Sequence, residues 1–261
     1  MSGIPGRRTI RGKVLTDRSH RRAPPLLRRL GVRLLKTAAI LFVLALAVFI
    51  AGGAYVASLP SVADAQTRVQ QILAAHHGSY SPLPPPRKLG DAVVAVEDEH
   101  FYANFLINVL DGFGRAALAT LHTSRDPGGS TIQQQLAKQL YGHGTGFAAT
   151  LQEIGLGVKL ALTYSRPQIL NMYLNAVYYG HGYWGELAAA RGYFGTTPAR
   201  LDWAQASLLA GLLQAPSAYD PLRHLALAKE RQRHVLDQLV VNHYLSAQQA
   251  NAAFREPLGL R

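Results

Sequence analysis

Two carboxylates and one glycine-led helix start are the residues of this chain whose types and spacing could do chemistry. Glu97 follows an apolar run, Ala92-Val93-Val94-Ala95-Val96, and precedes the aromatic pair Phe101-Tyr102. A carboxylate leaving an apolar wall is partly desolvated, which raises its pKa and suits it to general acid or base work. Asp98 and Glu99 beside it add like charge; the alternative reading is a surface acidic cluster at a helix end. Glu153 sits in a similar setting, Leu151-Gln152-Glu153-Ile154-Gly155-Leu156. The segment Gly128-Gly129-Ser130-Thr131-Ile132-Gln133-Gln134-Gln135-Leu136-Ala137-Lys138 places two glycines before a capped helix start. Backbone N–H groups and the helix dipole favour an anion there. Ser130, Thr131, Gln134 and Gln135 add side-chain donors, and Lys138 adds a charge. Phosphate or a polyhydroxylated ligand suits such a segment. It is not a Walker loop, because the G-x-x-x-x-G-K-[ST] spacing is missing.

The elements that must position these groups read as helices. Val62, Gln66, Val69, Ile72 and Leu73 have helical spacing, and the Pro-rich stretch SYSPLPPP that follows marks a boundary. Ser130 with Gln133 reads as a capping box opening a helix through Gln139. Ser165, with Pro167 in the first turn, starts another helix carrying Ile169, Leu170, Tyr173 and Leu174. TPARLDWAQASLLAGLLQAP is a short helix stopped by Pro216, and Ser246 with Gln249 caps a terminal helix. Alternating strand patterns are nearly absent. Gly180, Gly182, Gly185, Gly192 and Gly195 punctuate YYGHGYWGELAAARGYFG, consistent with close packing, ligand approach or plain turns.

Charge is concentrated at one end. Eleven of the 27 Lys and Arg residues, but one of the 15 acids, fall within residues 1–36. The remainder is nearly neutral, which argues against a nucleic-acid-binding domain. Thr37 to Ala63 carries no charged side chain. Its centre, AAILFVLALAVFIAGGAYVA, can cross a hydrocarbon core, which needs about 20 apolar residues. The basic flank places that end in the cytoplasm and everything after Pro60 outside. A cleaved signal peptide is the rival reading; the long basic leader argues against it. With no Cys, disulfide scaffolds and thiolate metal sites are excluded.

GGSTIQQQLAK resembles the second signature, G-G-S-T-I-T-Q-Q-L-A-K, of the family 51 peptidoglycan glycosyltransferases. These are the monofunctional transglycosylases and the glycosyltransferase domains of class A penicillin-binding proteins. Three further segments resemble that family in the same order. AVVAVEDEHFY resembles the first signature, E-D-x-x-F; ILNMYLNAVYYGHGYWG resembles I-L-E-x-Y-L-N-x-x-Y-x-G-x-G-x-x-G; and AAARGYFG with ASLLAGLLQAPSAYDP resembles the closing segment. The likeness covers roughly Asp91 to Pro221.

The resemblance implies a mainly α, lysozyme-like two-lobed glycosyltransferase domain behind a single N-terminal transmembrane helix. Residues 1–36 are then a basic cytoplasmic tail, 37–59 the transmembrane helix, 60–86 a linker and helix, and 87–261 the catalytic domain. In family terms Glu97 is the general base on the acceptor sugar, and Glu153 organises the leaving-group side directly or through a divalent cation, Mg or Mn. Lys138 faces phosphates, while Ser130, Thr131, Gln134, Gln135, Asp98 and Asn104 line the substrate site. Asn175 and Gly180 are structural. The implied partners are lipid II, the growing glycan chain, the membrane and other cell-wall synthesis proteins. The implied location is the bacterial inner membrane, single-pass, with the catalytic domain on the periplasmic side. No S-x-x-K or K-T-G motif occurs, so a monofunctional chain is expected.

Departures from the family pattern are Asn104 for His, Leu106 for Gly, Asn108 for Asp, Gln133 for Thr, Gln139 for Asn and Ala161 for an acid. The most serious is Ala149-Thr150 in place of an Arg-Lys pair. One lost cation contact to a diphosphate costs ~1.5–3 kcal/mol of charge-assisted bonding. Arg125, His143 and Lys159 are candidate substitutes. A second reading is therefore a degenerate relative that binds lipid II as an assembly factor. A third is a glycan-cleaving enzyme using a carboxylate acid.

Overall fold

Helix follows helix along the whole described chain. The computed structural model describes residues 25–82, 84–103, 130–142 and 144–261. Asn104, Leu106, Asn108, Arg125, Gly128, Gly129 and His143 lie outside them, as does any lobe built from 104–129. Among the described residues, ten α-helices and one 3-10 turn are formed, and the sole β feature is a bridge between Tyr178 and Trp184.

The first helix, α1 (Pro25–Ser58), starts inside the basic leader and continues through the uncharged stretch. From Leu30 to Ser58 it is long and apolar enough to cross a membrane, with mean hydropathy 2.6 and no buried residue in its most apolar stretch. Every large apolar side chain on it from Leu30 to Ile50 is exposed. By length and composition it is a candidate membrane-spanning helix. The chain divides at Gly52-Gly53 into two units, and the second runs to Arg261.

Within that second unit the core is built from short amphipathic helices. In α2 (Ala65–Ala75), Ala65, Val69 and Leu73 point inward at four-residue spacing. In α3 (Arg87–Glu97), Leu89, Ala92, Val93 and Ala95 are buried, and the helix delivers Glu97 at its last position. Next come α4 (Ile132–Tyr141), α5 (Phe147–Thr163) and α6 (Arg166–Ala176). They are followed by α7 (Glu186–Phe194), the 3-10 turn Pro198–Arg200, α8 (Trp203–Leu212), α9 (Leu225–Val241) and α10 (Ala247–Arg255). α3 packs on α8 and α9, while α4 packs on α5 and α6.

The helix starts are where the sequence signals act. Ser246 caps α10 through the Gln249 N–H, and Gln168 Oε1 accepts the Ser165 N–H (2.9 Å) at the start of α6. The expected capping box at α4 forms one residue later. Thr131 accepts the Gln134 N–H at 3.3 Å, and the Gln134 side chain accepts the Thr131 N–H at 3.1 Å. Gln133, the residue expected to close the box, is instead turned into the interior. The segment around Trp203 splits for a similar reason: Pro198 opens the 3-10 turn and Asp202 caps a separate α8 through Gln205.

Two glycines let α5 sit where it does. A Cβ on Gly157 would lie 3.2 Å from the Gln134 nitrogen, so its absence lets α5 approach the first turn of α4. A Cβ on Gly155 would overlap Leu59 at 2.4 Å, so the other face of α5 lies against the residue just after α1. The glycine-rich segment after α6 is turn and close packing together: Gly180 has φ +84°, and a Cβ there would meet the Pro216 carbonyl at 2.5 Å.

Candidate active site

Glu97 stands at the end of α3, half-buried, where the helix leaves the core. Its Oε2 accepts a hydrogen bond from the Gln135 side-chain amide at 2.9 Å. The Gln135 carbonyl in turn accepts the Tyr173 hydroxyl at 2.6 Å. Tyr173 is buried on α6, and burial, with the Glu97 charge adding to it, pushes its phenol well above the ordinary range. It therefore stays a neutral donor, which fixes the Gln135 amide so that its N–H groups face the carboxylate. α3, α4 and α6 thus meet in one chain, Tyr173 to Gln135 to Glu97.

Replacing Tyr173 with Phe removes one hydroxyl and frees that amide to rotate. The expected results are a stability loss of about 1–2 kcal/mol, read by thermal melting, and a lower turnover rate. Unchanged melting and turnover would mean that the amide is held by other contacts.

Asp98, the next residue, is buried, and its Oδ2 accepts the Ile132 N–H at 3.1 Å. The anion at the start of α4 is therefore the protein's own carboxylate, joining the end of α3 to the first turn of α4. Thr131 and Gln134 spend their side chains on the capping box, and the Ser130 carbonyl accepts from the Gln135 amide at 3.4 Å. These residues shape the site by holding the two helix ends together.

Lys138 lies one turn beyond Gln135, so the two share a face of α4. It is exposed, and its charge reaches Glu153 on the neighbouring α5. Burial raises the Glu153 carboxyl above its ordinary value, and Lys138 acts in the opposite direction. Glu97 on α3, Lys138 on α4 and Glu153 on α5 are thereby linked through α4, which bonds Glu97 by Gln135 and packs on α5.

Of the substitutes for the missing basic pair, Lys159 is committed elsewhere. Its ammonium donates to the carbonyls of Ala57, Leu59 and Pro60 at the end of α1. A cation at a helix C-terminus answers carbonyls that have no intrahelical donor. Thr150, in place of one basic residue, bonds the Gly146 carbonyl from the first turn of α5 at 3.2 Å. Among the described residues, Lys138 is the cation whose charge acts on Glu153.

Arg231, which the sequence reading did not single out, is coupled to Glu97 by charge. It lies on α9, and Glu97 is the carboxylate whose charge acts on its guanidinium. The available signal is position: Ala228, Gln232, Val235 and Leu236 are buried, and Arg231 shares that inward stripe.

Residues 65–240 match the model of the transglycosylase family. Penicillin-binding protein 2a of Streptococcus pneumoniae is 37% identical over 192 residues, 73% of this chain and 26% of that protein. A Cupriavidus necator protein described as a transglycosylase is 34% identical over 225 residues, 84% of this chain and 97% of that protein. Penicillin-binding protein 1A of Haemophilus influenzae, as a solved structure, aligns at 24% identity with a TM-score of 0.40, covering 70% of this chain and 18% of that one. The chain spans about a quarter of the length of penicillin-binding protein 2a and nearly all of the Cupriavidus relative. A family match over residues 65–240, with a 34% identical relative covered almost end to end, means that the chain belongs to the transglycosylase family.

Proposed function

We infer that the protein is a membrane-anchored peptidoglycan glycosyltransferase that polymerises lipid II into glycan strands. The observation that carries this reading is the shared face of α4. Gln135 holds the Glu97 carboxylate at one point, and Lys138, whose charge acts on Glu153, stands one turn away on α4. Glu97 takes the proton from the acceptor sugar's 4-hydroxyl, and that oxygen forms a bond to the anomeric carbon of the donor. The bond from that carbon to the undecaprenyl diphosphate breaks on the opposite side, so the configuration inverts. Negative charge developing on the departing diphosphate is met by Lys138.

The residues fit a divalent cation, Mg or Mn, in one respect. Glu153 offers a half-buried carboxylate, and Mg sites on phosphate substrates commonly use one or two protein carboxylates with phosphate and water. Bound there, the cation would neutralise diphosphate charge. No cluster of three or more His, Asp or Glu side chains occurs among the described residues, so Glu153 would be the main protein ligand. α1 supports a single-pass anchor, and the basic residues before it support a cytoplasmic N-terminus.

The purified full-length chain in detergent, given labelled lipid II with Mg or Mn, is expected to form polymer resolvable on a gel. Absence of polymer with either metal, while lipid II still binds, would replace this reading with the assembly-factor one. Ala149 and Thr150, which bring no cation to the first turn of α5, are the observation that keeps that second reading in view.

A further inference from the structure

We propose that a pocket between the turn after α6 and the loop joining α8 to α9 binds a small carboxylate-bearing ligand, the size of one acidic sugar or the terminal residue of a peptide. The pocket is lined by Tyr178, His181, Gly182, Ser217, Asp220 and Arg223 and has a volume of about 220 Å³. None of them enters the glycosyl transfer described above, so the two readings can fail separately. Three consecutive residues in its wall, Gly180, His181 and Gly182, have φ of +84°, +52° and +82°. Glycine adopts that region freely, whereas a histidine held there is strained, and such strain collects at binding and catalytic sites. The conformation delivers the His181 ring: its Nδ1 lies 3.0 Å from Oδ2 of the buried Asp220. Oδ1 of Asp220 accepts the Leu222 N–H at 3.0 Å, and Arg223 Nε stands 3.7 Å from Oδ2. Tyr178 is held as firmly. It forms the backbone bridge to Trp184, its ring lies 5.2 Å from the Trp184 indole, and its hydroxyl oxygen accepts the Gly182 N–H at 3.0 Å. Gly180 lets this turn close on the Pro216 carbonyl, one residue before Ser217.

The ligand class follows from which groups are spent. The Asp220 carboxylate already meets Leu222, His181 and Arg223, which leaves it little with which to attract a cation. The walls otherwise carry the hydroxyls of Tyr178 and Ser217, an imidazole and a guanidinium. With Nδ1 of His181 on Asp220, Nε2 is the ring nitrogen a ligand would meet. The Arg223 side chain is 72% exposed and engages Asp220 through Nε, at a distance beyond a good hydrogen bond. Its fork can therefore take a ligand carboxylate in the paired geometry that arginine favours. The hydroxyls and the imidazole serve the ligand's remaining polar atoms. Such a volume is smaller than that of a drug-sized site and suits one ring or one residue.

The test is calorimetric titration of the full-length chain in detergent with three probes: N-acetylmuramic acid, N-acetyl-D-alanyl-D-alanine and, as a sugar without a carboxylate, N-acetylglucosamine. At least one of the two acids is expected to bind with a Kd of about 1 mM or lower. Which of them binds tells whether a sugar or a peptide carries the carboxylate. N-acetylglucosamine is expected to bind about tenfold more weakly than the acid that binds, for want of the charged contact. Arg223→Gln, at an exposed position, should melt like wild type and weaken binding of the acid about tenfold. Ser217→Ala, also exposed, should weaken it about threefold and gives a second reading if the first variant is unstable. No binding of either acid at about 20 mM overturns the proposal. Equal binding of N-acetylglucosamine does so as well, as does binding that neither variant alters. A cluster that only staples the two loops together would change melting in these variants and bind no probe.

Discussion

Glu97→Gln is expected to lower the initial rate of polymerisation by about 10²- to 10⁴-fold, the usual worth of a positioned general base. The substitution is conservative in every other respect. The amide oxygen can still accept from the Gln135 side chain, which now bonds Glu97 Oε2 at 2.9 Å, so the Tyr173–Gln135 chain remains. Half-buried at the end of α3, the new side chain removes no core volume. The variant should therefore melt within about 1 kcal/mol of wild type, the scale of one ordinary hydrogen bond, and should still bind lipid II. What it loses is the capacity to take a proton. Gel-resolved rates, melting temperatures and lipid II binding on the same preparations separate these effects. A rate within a few-fold of wild type would remove Glu97 as the base. Rescue of a deletion strain by Glu97→Gln would favour the assembly-factor reading.

The second large effect concerns stability rather than turnover. Glu186, the first residue of α7, is fully buried. Burial pushes its carboxyl from 4.5 up to about 7, against the smaller opposing effect of the Ser81 hydroxyl. The position at a helix N-terminus favours an anion, but loss of hydration outweighs it. Because the folded-state value is raised, the favourable contribution of protonated Glu186 is complete below pH 4.5. It declines as pH rises toward 7, because the unfolded chain releases this proton first. The whole decline is about 3 kcal/mol, taking 1.36 kcal/mol per pH unit. Glu186→Gln removes the titrating group and keeps the shape. Its melting temperature should exceed that of wild type at pH 8 and converge with it near pH 4.5. Parallel melting curves across that range would show that Glu186 titrates normally in the folded chain.

Much of this protein is legible residue by residue because the forces involved are local. An uncharged stretch behind a basic leader specifies a helix that can span a bilayer, since every backbone group must be satisfied within the segment. Ser165, Asp202 and Ser246 open helices because each side chain and its partner three residues on answer first-turn groups that have no other partner. Glu97 and the GGST-led helix stand out because an acid against an apolar run, and glycines before a cap, are unusual compositions in themselves.

Other features were decided only when the helices packed. The cap of α4 moved from Ser130 to Thr131 because Gln133 is drawn into the interior, which no short-range preference dictates. Asp98 reads as one more acid in a cluster, yet it anchors the start of α4 across 34 residues of chain. Lys159 reads as a spare cation near Glu153 until its bonds to the last carbonyls of α1 appear. Tyr173 meets the Glu97 site from 76 positions further along, through Gln135. Sequence by itself therefore determined the elements and singled out Glu97 as the candidate acid, since both readings arise from patterns a few residues long. The tertiary structure decided which charges face that acid, because a field depends on distances through space that only helix packing sets.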